Sequence, residues 1–104
     1  MTGRVAIVSG GTGALGQSVA LRFLRDGASV AVPWIVTEEW ENLKGRVEKG
    51  QIGHLFGARV DVVADPGALA AFVTDVLARH RGIDVLVNAV GGFADGDLAS
   101  TPLA

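Results

Sequence analysis

Gly10, Gly13 and Gly16, spaced three apart in the stretch SGGTGALG, follow directly on the apolar run Val5 to Val8. Backbone stripped of side chains at that spacing can turn successive N–H groups toward an anion, and a helix that begins there adds the positive end of its dipole. The plainer reading is a glycine-rich turn, yet a turn needs fewer glycines. No Gly-Lys-Ser/Thr ending follows, so a triphosphate-cleaving loop is disfavoured. Other side chains able to do chemistry are few: there are two histidines, His54 and His80, and neither cysteine nor tyrosine. Without cysteine, disulfides, thiolate catalysis and sulfur-ligated metals are excluded, and two histidines so far apart in sequence make a poor metal site. The chemistry the loop itself offers is the cradling of an anion, with a plain turn as the alternative.

The elements that must position this loop are legible in the hydrophobic pattern. Val5 to Val8 reads as a strand buried on both faces. Leu15, Val19 and Phe23, with Leu24 beside the last, recur at helical spacing opposite Arg22, Arg25 and Asp26, and Gly27 supplies a stop. Ser29 to Val32 reads as a second strand ended by Pro33. Thr37, Glu38 and Glu39 open a second helix carrying Trp40, Leu43 and Val47 and closing before Gly50, with Gly45 inside it. Ala58 to Val63 reads as strand three. Asp65 and Pro66 are a cap and a first-turn proline, after which Leu69, Phe72, Val73, Val76 and Leu77 form the clearest helical stripe of the chain, ended by Gly82. IDVLVNAV, residues 83–90, supplies strand four. The order β-α-β-α-β-α-β implies parallel strands with helices on both faces.

At 104 residues, with 49% apolar and 19% charged residues, the chain has the composition of one globular domain. A formal charge of −2 without a Lys/Arg cluster argues against nucleic acid as a partner. No apolar run approaches the ~20 residues that span a bilayer, and no secretory segment precedes the first strand, so no membrane partner and a cytoplasmic location are the default expectations.

In this setting the sequence resembles the N-terminal part of the short-chain dehydrogenase/reductase family, and three stretches carry the resemblance. One branch of that family has Thr-Gly-x-x-x-Gly-x-Gly after strand one, where this chain has Ser9 for Thr and Ala14 for the middle glycine. A longer-chain branch has Thr-Gly-x-x-Gly-x-x-Gly, which Gly10, Gly13 and Gly16 fit. The stretch VDV is similar to the family's Asp-Val, whose carboxylate accepts a hydrogen bond from the adenine amino group. Asp61 and Val62 match it, although an acid that simply ends a strand is an equal reading. The stretch LVNAVGG is similar to the family's Asn-Asn-Ala-Gly, with Asn88 and Gly91 matching and Ala89 and Val90 departing. The resemblance implies a Rossmann-like doubly wound sheet in the order 3-2-1-4. It also implies a cofactor, NAD or NADP, lying along Ser9, Gly10, Thr12, Gly13, Leu15, Gly16, Trp34, Asp61, Val62, Asn88, Ala89 and Gly91.

In dinucleotide folds an acid about 20 residues beyond the glycine loop holds the ribose hydroxyls of NAD, whereas a basic residue nearby accepts the 2′-phosphate of NADP. The residue aligned there is Trp34, which is neither. Glu38 and Glu39 are placed to reach the ribose, but their plainer role is at the start of helix two. No Arg or Lys follows strand two closely, so the balance leans to NAD. The resemblance implies hydride transfer between nicotinamide and a carbonyl or alcohol carbon, with a Tyr-x-x-x-Lys pair as acid and base and a serine polarising the carbonyl. None of these has a counterpart here: Lys44 and Lys49 fall in or beside helix two, and Ser100, near Pro102, reads as a helix cap. That cap has no helix to open, so residues 1–104 read as a single dinucleotide-binding domain cut short before a fourth helix. Strand four would then be an unpaired edge, favouring self-association or docking of a missing C-terminal part. The substrate is not readable from Phe93, Asp95 and Asp97, which read as a solvated loop. Two other readings stay open: a stand-alone dinucleotide-binding or sensing module, and an interaction protein that keeps the fold for packing alone.

Overall fold

The structure, a computed structural model, describes residues 2–10, 12–61 and 64–89. The expectations placed on Val62, Val63, Val90, Gly91, Phe93, Asp95, Asp97, Ser100 and Pro102 lie outside these residues. The elements are β1 (Val5–Ser9), α1 (Ala14–Arg25), β2 (Ser29–Trp34), α2 (Thr37–Arg46), a single 3-10 turn (Ile52–His54), β3 (Leu55–Arg59), α3 (Pro66–Arg79) and β4 (Val85–Asn88). The four strands form one sheet in the order β3-β2-β1-β4, with every pairing parallel.

Because side chains alternate across a strand, a continuous apolar run fills two cores at once. Val8, Val30 and Val32 meet Ala20, Leu21, Leu24, Trp40 and Leu43 on the face covered by α1 and α2. Val5, Ile7 and Ala31 meet Phe72 and Val76 of α3, together with Val60, on the other. The sheet is therefore doubly wound. On the α3 face Phe56 stacks on Phe72 at 5.7 Å between ring centres, and the Arg79 guanidinium lies 3.9 Å from the Phe56 ring centre.

The structure corrects four local expectations. First, the buried stripe of α1 is not Leu15, Val19 and Phe23 but Gln17, Ala20, Leu21 and Leu24, with Gly16 beside it. Small side chains at Gly16 and Ala20 let the helix lie close on the sheet, which leaves Val19 and Phe23 flanking the core and Leu15 53% exposed. Second, β2 runs through Pro33 to Trp34. Ser29 N donates to Arg4 O on the β1 side, and alternation by two puts Ala31 and Pro33 on that same side. The β1–β2 pairing ends at Ile7 and Ala31, so the donor that Pro33 lacks falls where no ladder bond is required. Third, β3 begins three residues before the predicted start and ends at Arg59, pairing Leu55–Arg59 with Val30–Trp34. Gly57 sits inside the strand, where the Trp40 ring occupies the space its side chain would take. Fourth, α3 ends at an extended His80 rather than at Gly82.

The stop at Gly27 is as expected. Its φ of +93° suits glycine, and the bonds Gly27 N to Leu24 O (3.0 Å) and Ala28 N to Phe23 O (3.0 Å) close α1 in a Schellman motif. β4 lies at an edge of the sheet among the described residues, with Leu86 61% exposed.

A methyl group on Gly57 would stand 2.6 Å from Trp40 Cζ2, inside a rigid buried ring. Gly57→Ala is expected to destabilise the fold by about 1–3 kcal/mol. Gly45→Ala, where a Cβ meets nothing within 4 Å in the interior of α2, should stabilise it by about 0.5–1 kcal/mol. Urea unfolding followed by tryptophan fluorescence measures both; equal effects at the two positions would refute the packing role of Gly57.

Candidate functional site

In a parallel sheet all strands deliver their C-terminal ends to one side, and here Ser9, Trp34, Arg59 and Asn88 mark that side. The loop leaving β1 turns at Gly10, whose φ of +77° favours glycine. Gly13 N donates to Gly10 O (3.1 Å), and Gly13 O accepts from Gln17 N (2.8 Å), the first bond of α1. Gly13 itself has φ −76°, and a Cβ there would meet only Gly10 O at 3.5 Å, an ordinary contact. Neither backbone conformation nor packing among the described residues requires glycine at this position. Helix α1 also starts without a side-chain cap and without an acid in its first turn, whereas α3 is capped by Asp65 and α2 carries Glu38 and Glu39. Among the described residues no side chain accepts from the N–H groups of its first turn.

A polar chain holds the loop. Gln17 Nε2 donates to Thr12 O (2.8 Å), Arg46 Nη1 donates to Gln17 Oε1 (2.7 Å), and Thr12 Oγ1 donates to Glu39 Oε1 (3.1 Å). Thr12 and Gln17 are buried, at 7% and 9% exposure. A buried amide with both ends bonded fixes the loop to α1 and, through Arg46 and Glu39, to α2. Gln17 and Arg46 were not singled out in the sequence. The available signal was that Gln17 completes the spacing 17, 20, 21, 24, so a polar residue occupied a core position.

At the end of β2, Trp34 stacks on Trp40 with ring centres 5.9 Å apart and planes 6° apart. Its indole Nε1 is buried and has no hydrogen-bond partner among the described residues. Arg59 of β3 is the register partner of Trp34, and its Nε donates to Ile35 O (3.3 Å), so the sheet brings to the end of β2 a cation that the local sequence lacks. Asp61 lies two residues beyond β3, where its side chain accepts from Ala64 N (3.0 Å) and its carbonyl from Asp65 N (2.9 Å), turning the chain toward α3. Asn88 is the register partner of Ser9, and buried Ala89 donates to Ser9 O (2.7 Å). The predicted loop residues, Trp34, Asp61, Asn88 and Ala89 therefore converge on one side of the sheet, while Val62 and Gly91 lie outside the described residues. Leu15 is on the same side, on the exposed flank of the first turn of α1.

A doubly wound Rossmann-like sheet with a glycine loop between its central strand and first helix defines the class of protein. The chain belongs to the short chain dehydrogenase family, whose profile matches residues 4–103. It is 35% identical over 88 residues to a short chain dehydrogenase/reductase of Macrophomina phaseolina, covering 85% of this chain and 50% of that protein. It is 30% identical over 94 residues to the 7alpha-hydroxysteroid dehydrogenase of Escherichia coli, covering 88% and 35%. Among solved structures, a short chain dehydrogenase from Bacillus anthracis superposes with a TM-score of 0.77 at 25% identity, covering 88% of this chain and 36% of that one. An actinorhodin polyketide ketoreductase variant solved with NADPH superposes at 0.71 and 28% identity, covering 85% and 34%. The chain spans half or less of the length of these relatives.

Replacing Gln17 by the similarly shaped Met would leave the Thr12 carbonyl and the Arg46 guanidinium without their partner. Gln17→Met is expected to cost about 1–3 kcal/mol, against no more than about 1 kcal/mol for Arg46→Ala at the exposed end of the chain of bonds. Thermal unfolding of the two variants checks the order, and a Gln17→Met protein as stable as the parent would remove the bridge from the account.

Proposed function

We propose that this chain is the dinucleotide-binding portion of a short-chain dehydrogenase/reductase, with residues 1–104 acting as one binding domain. The observation that carries the reading is Gly13: nothing among the described residues needs a glycine there, and a pyrophosphate approaching the backbone does. The uncapped start of α1 fits the same ligand. In this arrangement Gly10, Thr12, Gly13 and Gly16 offer backbone to the pyrophosphate, with Leu15 covering it. Trp34, Asp61 and Val62 border the adenosine, and Ser9, Asn88, Ala89 and Gly91 line the nicotinamide side. The bound cofactor, NAD or NADP, supplies the hydride chemistry of the whole protein on a carbonyl or alcohol. NAD is favoured of the two, because the charged side chain bonded to the glycine loop is an acid, Glu39. This chain's part is to bind and orient. Its edge strand β4, with Leu86 exposed, favours pairing with a second copy or with a further part of the protein.

Gly13→Ala separates binding from folding. It should change stability by no more than about 1 kcal/mol, while weakening binding of NAD and NADP at least about tenfold by calorimetry, since a methyl group holds the pyrophosphate off the backbone. Unaltered affinity in the variant, or no heat with either cofactor in the parent, would overturn the assignment.

A further inference from the structure

We infer that Glu39, reaching over from the first turn of α2, is the residue that selects NAD against NADP; the inference rests on the dinucleotide reading above. Three observations lead to it. Trp34 ends β2 without a carboxylate, and its ring is committed to the stack on Trp40. Thr12, held from behind by Gln17, directs its hydroxyl to Glu39 Oε1 at 3.1 Å, which draws the carboxylate to the rim of the glycine loop. The ion pairs among the described residues join Arg22 to Asp26 and Lys44 to Glu41, so the charge of Glu39 is not neutralised by a lysine or arginine.

The donor and acceptor inventory then sets the preference. Glu39 Oε1 takes the Thr12 proton, and Oε2 makes no hydrogen bond among the described residues. A ribose diol has O–H groups to donate to such an oxygen. A 2′-phosphate has only acceptors and carries negative charge, so it meets repulsion instead. Thr12 is thus a positioning residue and Glu39 a specificity residue, and the acid enters from the helix after β2 rather than from the strand end. Arg59, anchored on Ile35 O, is the competing group: a cation at the end of β2 would favour the phosphate.

The test is calorimetric titration of the full chain with NAD and with NADP, in the parent and in Glu39→Gln, Glu38→Gln and Arg59→Ala. Glutamine can still accept from Thr12, so the loop stays in place while the charge is lost. The parent should bind NAD at least about tenfold more tightly than NADP, Glu39→Gln should bring the ratio to within about threefold, and Glu38→Gln should leave it unmoved. Binding of both cofactors with a ratio insensitive to Glu39→Gln overturns this inference and leaves the dinucleotide reading intact. A parent that prefers NADP, with the preference lost in Arg59→Ala, also overturns it and assigns the discrimination to Arg59. Binding of neither cofactor removes both.

Discussion

A strand that is buried on both faces and hydrogen-bonded on both edges has freedom only at its ends, and β1 is such a strand. Val5 to Val8 are fully enclosed, with β2 on one side and β4 on the other. Its exit point is therefore fixed to the level at which Ser9 pairs with Asn88, and the chain must reverse there into α1. The reversal is tight because α1 has to lie close on the sheet it has just left, which Gly16 and Ala20 allow. The left-handed Gly10 is a consequence of that geometry. Gly13, at φ −76° and with only Gly10 O near the place of its absent side chain, is not required by that geometry among the described residues.

Holding such a loop in one conformation is costly, because its backbone has few partners of its own. Gln17 provides them from inside the helix. An unbonded amide at 9% exposure would be strongly unfavourable, but with Thr12 O at one end and Arg46 at the other it ties loop, α1 and α2 into one unit. The Trp34 and Trp40 stack does the same for the end of β2, with Gly57 giving the ring its room. The glycine loop and the end of β2 are thus both supported from beneath.

The parts of this that could be read from the sequence are those set by contiguous residues. The apolar runs of β1 and β4, the Asp65 and Pro66 start of α3 and the Gly27 stop are local patterns, and the strand order followed from the resemblance they supported. The misreadings share a cause. The face of α1 was misjudged because Gly16 and Gln17 carry no hydrophobic signal although one packs closely and the other is satisfied by hydrogen bonds. The start of β3 at Leu55 is not legible locally, because Gly57 answers to Trp40, a residue of another element. Pro33 reads as the end of β2 in sequence, because only the register with β1 shows that its missing donor is not needed. Arg59 reaches the end of β2 across the sheet, and Glu39, an acid the sequence does place near the ribose, meets the glycine loop through Thr12; one-dimensional spacing shows neither contact.

The same alternation of sides bears on which steps of a reaction these residues could perform. Loops in a parallel sheet alternate between its two ends: those leaving β1, β2 and β3 gather at the site, while those entering β2, β3 and β4 gather opposite. His54 lies in the 3-10 turn that enters β3, and His80 ends α3 on the way into β4. Both imidazoles, the side chains best suited to moving protons in catalysis, are therefore placed at the far end of the strands from the glycine loop. Among the described residues, the groups that do converge around the loop and the end of β2 are backbone amides, hydroxyls, an amide, carboxylates and the guanidiniums of Arg46 and Arg59. Proton transfer to a substrate oxygen demands a donor within about 3 Å of it, and the topology of the described strands keeps the two histidines from that position whatever their rotamers.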